Sequence, residues 1–197
     1  MWDVFADQEF LGGAPLNFAT NCQRLDHSSA LLSAIGNDQR GELALEAMRS
    51  SGVDTTFIQK ESELPTGTAV VTSDADGEPS FEIIRPAAYD LIKLTEETLG
   101  ELRSSDFDWL YFGTLMLTEP RVEEITLQLA KLSPGIRCFY DVNLRPNQWN
   151  IGLVQRLLRL ATVVKLNESE AKIISESNGT HLRGSSGVPD LLHQLNC

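Results

Sequence analysis

At 197 residues the chain is long enough for one domain with a substantial core, or for one domain and a small appendage. Its 42% apolar and 22% charged content is ordinary for a soluble globular protein, and no apolar run approaches the length of a membrane span. A formal net charge of −12 argues against nonspecific binding to nucleic acid or to an anionic membrane, yet leaves room for an anionic ligand held by local donors.

The chain opens on "MWDVFADQEF", which lacks the basic and apolar regions of a signal peptide. Within it "WDVF" reads as the last residues of a strand, with Asp3 at its end. A carboxylate there is either a solvated strand-end charge or an acceptor for two hydroxyls of a polyol. A short stretch, Glu9 to Leu11, precedes "GGAPLNFATNCQRL". From Phe18 the apolar residues Phe18, Cys22 and Leu25 fall on one helical face. Gly12 and Gly13 therefore form a tight loop feeding a helix N-terminus, where unpaired N–H groups can meet a polar ligand or simply be capped.

Strand-like runs then alternate with helical patterns: "ALLSAIG" before Glu42 to Arg49, "FDWLYFGTL" before Arg121 to Leu132, "IRCFYDVN" before Gln148 to Ala161, and "ATVVKLN" before Glu168 to Ser175. Val122, Ile125, Leu129 and Leu132 mark the buried face of the second helix. This rhythm predicts βαβ units and a mostly parallel sheet in an α/β fold, with ligands bound beyond the carboxyl ends of the strands. "TGTAVVTSDADGEPSFEII" breaks the rhythm with two β-rich runs around an Asp-Gly turn, predicting a hairpin. Residues 64–85, joined by residues 9–11, are accordingly expected to form a small β lid standing off the main sheet.

Four polar clusters fall at strand ends or in the loops that follow. In "GNDQRG", Asp38 bonds backbone N–H groups of its loop or caps the helix behind it. In "DVNLRP", Asp141 and Asn143 alternate along the strand. Arg145 is either a forked donor for phosphate or sugar oxygens or the salt-bridge partner of Asp141. In "KLNESE", Asn167 and Glu170 lie three apart at a helix start. They form a capping-box-like pair, or Glu170 organises a magnesium hydration shell near nucleotide phosphates. Cys22, Cys138 and Cys197 are too few and too scattered for a disulfide framework or a zinc site, and they fit a reducing, cytoplasmic setting. Asn167 and Asn178 open glycosylation-type triplets that, without a secretory signal, read as chance.

The ordered set "WDVF", "GGAPLNFA", "AIGNDQRG", "LPTGTAVV", "FGTL", "DVNLRP" and "KLNESE" resembles the ribokinase-type (PfkB) carbohydrate kinase family, and within it the fructokinase-like branch. The resemblance covers nearly the whole chain. It implies a ribokinase-like three-layer α/β/α fold with a small β lid, and ATP-dependent phosphorylation of a sugar hydroxyl with magnesium. Fructose is the first-choice substrate, with 2-keto-3-deoxygluconate or another ketose next. It also implies that Asp3, Gly12, Gly13 and Asn17 shape the sugar site, that Arg145 serves sugar or phosphate, and that Asn167 and Glu170 serve the nucleotide and, indirectly, its magnesium. Which hydroxyls are read depends on side chains such as Arg85, Tyr89 and Thr114. An exposed apolar face on the lid invites pairing with a second copy.

One departure bears on activity. The family's glycine-rich G-A-G-D loop, which supplies the anion hole and the base aspartate, has no counterpart in the 197 residues. "RGSSGVPD" (183–190) is the nearest stand-in, but Pro189 removes a backbone donor and no apolar strand precedes it. "WDVF" resembles the end of a strand that begins upstream, and "VPDLLHQLNC" is a helical pattern that stops where another strand is due. Residues 1–197 therefore read as an incomplete ribokinase-like domain carrying the sugar-binding portion, expected to be inactive by itself. A binding or regulatory module that has lost its chemistry is the alternative, and a nucleoside kinase is a third, less favoured reading.

Overall fold

The computed structural model describes residues 1–73 and 79–177, and the chain divides into two compact units at Lys93/Leu94. In the first unit, β1 (Trp2–Val4), β2 (Glu9–Leu11), β5 (Thr68–Ser73) and β6 (Pro79–Ile84) make a four-stranded mixed sheet in the order β2-β1-β5-β6. Asp3 pairs with Phe10 of β2 in antiparallel sense and with Ala69 of β5 in parallel sense. β5 and β6 are antiparallel, with Thr68 opposite Ile84. The two β-rich runs thus pair as a hairpin, although the Asp-Gly turn between them lies outside the described residues. Ala69 and Val71 are buried while Val70 and Thr72 are exposed, the period-2 pattern of a sheet with one covered face. β1 lies inside this sheet, so Asp3 and the lid stretches share one set of hydrogen bonds.

The same unit contains α1 (Ala14–Arg24), β3 (Ser33–Gly36), α2 (Gln39–Ser50) and β4 (Ile58–Glu61). β3 and β4 are parallel and form a βαβ unit with α2 between them. Ile35, Ala44, Leu45 and Met48 are its buried core, against which Trp2, Leu11, Leu16, Leu31 and Ile58 pack. α1 differs from expectation. It begins at Ala14, four residues before Phe18, because Pro15 suits the first helical turn. Leu25, expected on its buried face, is 70% exposed beyond the helix end, and Ala19 is the buried residue instead.

Asp38 performs both roles open to it. Its Oδ1 accepts the Gly41 N–H at 2.8 Å, capping α2, and the Thr66 hydroxyl at 2.7 Å; its Oδ2 accepts the Thr66 N–H at 2.8 Å. Thr66 Oγ1 in turn accepts the Gly36 N–H at 2.9 Å, so the end of β3, the start of α2 and the approach to β5 meet in one knot. Burial pushes the Asp38 carboxyl upward, but the bonds from Thr66 and Gly41 outweigh it and hold the group below the usual carboxylate range. A depressed native pKa gives stability that is complete above the unfolded value, about 3.9, and is lost as pH falls through the native one. Urea midpoints taken from pH 7 down to pH ~3 are therefore expected to converge between wild type and Asp38→Asn. A constant separation would assign the acid sensitivity to other carboxylates.

The second unit contains α3 (Glu96–Ser104), β7 (Trp109–Gly113), α4 (Pro120–Leu129), β8 (Arg137–Asp141), α5 (Ile151–Leu158), β9 (Val163–Lys165) and α6 (Glu168–Ser177). Its three strands are all parallel in the order β7-β8-β9, with Gly113, Asp141 and Lys165 aligned at their carboxyl ends. Phe112, Cys138, Tyr140, Val142, Leu153, Leu157 and Ile174 form a buried core. Val122, Ile125 and Leu129 are buried on α4 as their spacing predicts, while Leu132 falls past the helix end. α5 starts at Ile151 instead of Gln148, because the Asn150 side chain caps it by accepting the Leu153 N–H at 2.9 Å. Among the described residues no helix is long and apolar enough to cross a membrane.

Candidate functional site

In the first unit, the glycine pair has two distinct local reasons. A Cβ at Gly12 would stand 2.6 Å from Asp3 Oδ2, so Gly12 first makes room for that carboxylate. Gly13 has φ +104°, which L side chains rarely adopt, and it sets the entry into α1. The N-cap residue of α1, Gly13, has no side chain to cap it, and the first turn has no acidic residue. Asn17 is exposed on that turn, its N–H bonded to the Gly13 carbonyl at 3.0 Å. Asp3, Gly12, Gly13 and Asn17 therefore gather at one helix start. A carboxylate accepts hydroxyl protons and an amide both donates and accepts, which is the chemistry of polyol recognition.

The Arg85 guanidinium forks onto Asp90, with Nε 3.2 Å from Oδ2 and Nη2 2.5 Å from Oδ1. Asp90 is buried, and its Oδ2 also accepts the Ala87 N–H at 2.9 Å. The Tyr89 ring lies against Gly67, and its buried hydroxyl has no partner among the described residues. Burial, then the adjacent Asp90 charge, raises that phenol to about 12.

In the second unit, Glu170 is 6% exposed and each of its carboxylate oxygens accepts one backbone N–H. Oε1 accepts the Leu144 N–H at 2.9 Å and Oε2 accepts the Asn167 N–H at 2.9 Å, while Asn167 Oδ1 accepts the Glu170 N–H at 2.8 Å. The capping pair read from spacing is present, and it also ties the start of α6 to the turn after β8. Arg145, half-buried, follows that turn. Asp141 takes the Tyr111 hydroxyl at 2.7 Å and faces Lys165 at 2.9 Å, a pairing that spacing within "DVNLRP" could not reveal. Thr114 is fully buried, donating to the Val142 carbonyl at 2.5 Å and bonded to the Tyr140 hydroxyl at 2.7 Å, so it fastens β7 to β8 instead of facing a ligand.

Among the described residues no group of three or more His, Cys, Asp or Glu could hold a metal ion. Glu170, with both oxygens on backbone N–H groups, does not fit direct ligation. Each oxygen keeps a lone pair that water of a hydrated cation could use, so an indirect role fits.

The family model described as pfkB family carbohydrate kinase matches residues 3–196. A fructokinase of Salmonella typhimurium is 33% identical over 175 residues, covering 85% of this chain and 56% of that protein. An aminoimidazole riboside kinase of Salmonella typhimurium strain LT2 is 28% identical over 167 residues, covering 81% of this chain and 51% of that protein. Among solved structures, a fructokinase of Xylella fastidiosa with bound ATP superposes with a TM-score of 0.84 at 25% identity, over 98% of this chain and 62% of that one. The chain thus spans little more than half the length of these relatives, and its fold is ribokinase-like α/β.

Proposed function

Because the chain belongs to the pfkB family of carbohydrate kinases, we propose that it carries the sugar-binding portion of an enzyme that transfers the γ-phosphoryl group of ATP to a sugar hydroxyl. A ketose is the favoured acceptor, fructose first and a 2-keto-3-deoxygluconate-type sugar next. The observation that carries the reading is the Asp3 carboxylate packed on Gly12, directly before the start of α1.

In this reading Asp3 and Asn17 bind sugar hydroxyls, and Gly12 and Gly13 set the loop that brings them together. Arg145 neutralises phosphate charge as a forked donor. Asn167 and Glu170 serve the nucleotide, Glu170 through the water shell of its magnesium. Magnesium, carried in with ATP, would offset charge on the phosphate oxygens. Rate would come mainly from holding hydroxyl and phosphate in line and from charge neutralisation. The 197 residues contain no G-A-G-D run, so the base of this reaction is not among them. The second reading is a kinase-like module that binds sugar without turning it over. The setting we propose is cytoplasmic. β6, at one end of its sheet with Phe81 and Ile84 exposed, is where a second copy would pair.

A thermal-shift titration of the purified chain against a panel of ketoses tests both readings, since a ligand that binds only the folded state raises its melting point. Asp3→Ala and Asn17→Ala are each expected to weaken sugar binding about two- to hundredfold, the loss of one hydrogen bond worth roughly 0.5–3 kcal/mol. A sugar-dependent shift of unchanged size in both variants would end the site assignment.

A further inference from the structure

Phe10 is the middle residue of β2 and stands directly opposite Asp3 of β1 in the antiparallel register. Directly opposed residues of such a pair share one face of the sheet, with Cβ atoms about 5 Å apart. Gly12, two residues on from Phe10, continues the alternation on that face, and a Cβ there would meet Asp3 Oδ2. The ring, the carboxylate and the glycine thus line one side. Ala69, beside Asp3 on β5, is fully buried, whereas Asp3 is half-buried and Phe10 is 52% exposed. The face is sheltered behind the carboxylate and open at the ring. Phe10 is also firmly placed. Its chain neighbours point to the opposite face, where Glu9 accepts Arg40 Nε at 2.9 Å and Nη2 at 2.5 Å, and Leu11 packs on the core of Ile35, Ala44, Leu45 and Met48. Phe5 meets Phe10 in a T-shaped contact, with centroids 5.7 Å apart and planes at 83°. Such a contact covers at most one face of the Phe10 ring, and the other stays open.

We propose that Phe10 is a specificity-determining residue, a platform on which the C–H face of a cyclic sugar lies while Asp3 accepts its hydroxyls. The inference rests on the sugar-binding reading above and adds a group that reads the shape of the ring instead of its hydroxyls. The face of an aromatic ring is electronegative, and C–H bonds beside oxygen carry a partial positive charge, so the two surfaces attract. Covering both also removes apolar area from water. An open-chain polyol offers the same hydroxyls but no persistent flat face, so the platform favours a ring over a chain. A second copy of the protein is the other candidate to cover an exposed ring. The cores of protein interfaces are depleted of charge, however, and the Asp3 carboxylate on the same face suits a small polar ligand better. A strand fixed on its opposite face presents the ring in place before a ligand arrives, which lowers the ordering cost of binding.

The test is calorimetric titration of the 197-residue chain with fructose and, separately, with sorbitol, an open-chain hexitol. Phe10→Ala should weaken fructose binding about three- to tenfold. Phe10→Leu should weaken it nearly as much, because it keeps apolar area without a flat face, whereas Phe10→Trp should hold it within about twofold. Leu25→Ala, exposed beyond the end of α1, should leave it unchanged. Sorbitol should bind wild type more weakly than fructose, and Phe10→Ala should narrow that difference. Unchanged fructose affinity in Phe10→Ala, full affinity in Phe10→Leu, or an effect of Phe10→Ala confined to self-association in sedimentation would each overturn the proposal. Fructose binding lost in Asp3→Ala yet untouched in Phe10→Ala would overturn the platform and leave the sugar-binding reading standing. No fructose binding by wild type would overturn both.

Discussion

Glu170→Ala is expected to lower the unfolding free energy by about 2–5 kcal/mol, since each buried donor left without an acceptor costs about 1–3 kcal/mol. Two donors are at stake, the Leu144 N–H and the Asn167 N–H, both at 2.9 Å from the carboxylate. With Glu170 only 6% exposed, water has little access to replace it. The loss also frees the first turn of α6 from the turn after β8, so the cost exceeds that of an ordinary exposed cap, typically about 1 kcal/mol. Urea unfolding of wild type, Glu170→Ala and Glu170→Gln measures this directly. Glutamine offers one acceptor oxygen and presents an NH2 to the other donor, so it should fall between the two. A loss below about 1 kcal/mol in the alanine variant would mean that solvent satisfies both donors and that Glu170 is free for other work.

The second large effect is expected at Gly67. A Cβ there would stand 2.2 Å from Tyr89 Cε1 and 2.8 Å from Cδ1, distances no real contact tolerates. The ring cannot easily retreat, because Tyr89 is buried and follows Ala87 and Ala88, which are fully buried. Overpacking a tight core costs about 1–3 kcal/mol and occasionally more, and Gly67→Ala should sit at the upper end. The check is a double-mutant cycle. Tyr89→Ala alone destabilises by leaving a cavity, but combined with Gly67→Ala it should cost less than the two single changes added together. Strict additivity would show that the ring moves aside at no cost. Because the Tyr89 hydroxyl has no partner among the described residues, Tyr89→Phe should be close to neutral, which separates the effect of the ring from that of its oxygen.

What the sequence disclosed follows from the range over which each signal acts. The parallel unit was legible because "LYFG" and "CFY" are near-continuous apolar runs flanked by a helical stripe at Val122, Ile125 and Leu129, and such patterns are local. The reciprocal bonds between Asn167 and Glu170 were legible from their three-residue spacing, while the bond from Glu170 to the Leu144 N–H was not, since it joins residues far apart in the chain. Both structural roles of Asp38 could be named in advance, but its partner Thr66 could not. The pairing of Asp141 with Lys165 and the crowding of Asp3 against Gly12 depend on strand register, which periodicity does not set. Leu25 misled for the opposite reason: a helical period continued one residue past the last turn, and the exposed side chain has nothing to pack on. The site residues were thus readable as types at strand ends, and their neighbours were not.

The parallel pairing of β1 with β5 has a consequence for the order in which the molecule assembles. In the second unit each strand joins the next one along the chain, so closure entropy is met in modest steps. In the first unit Asp3 must wait for Ala69, and the sheet that frames the glycine loop cannot close until nearly the whole unit has been made. Contacts between residues so distant in sequence form slowly. β1 is bonded on both sides, to β2 and to β5, so Asp3 is secured only when both pairings have formed. The strand that holds the Asp3 carboxylate is thereby among the last parts of its unit to be secured, and the proposed sugar site takes shape only once that unit is nearly complete.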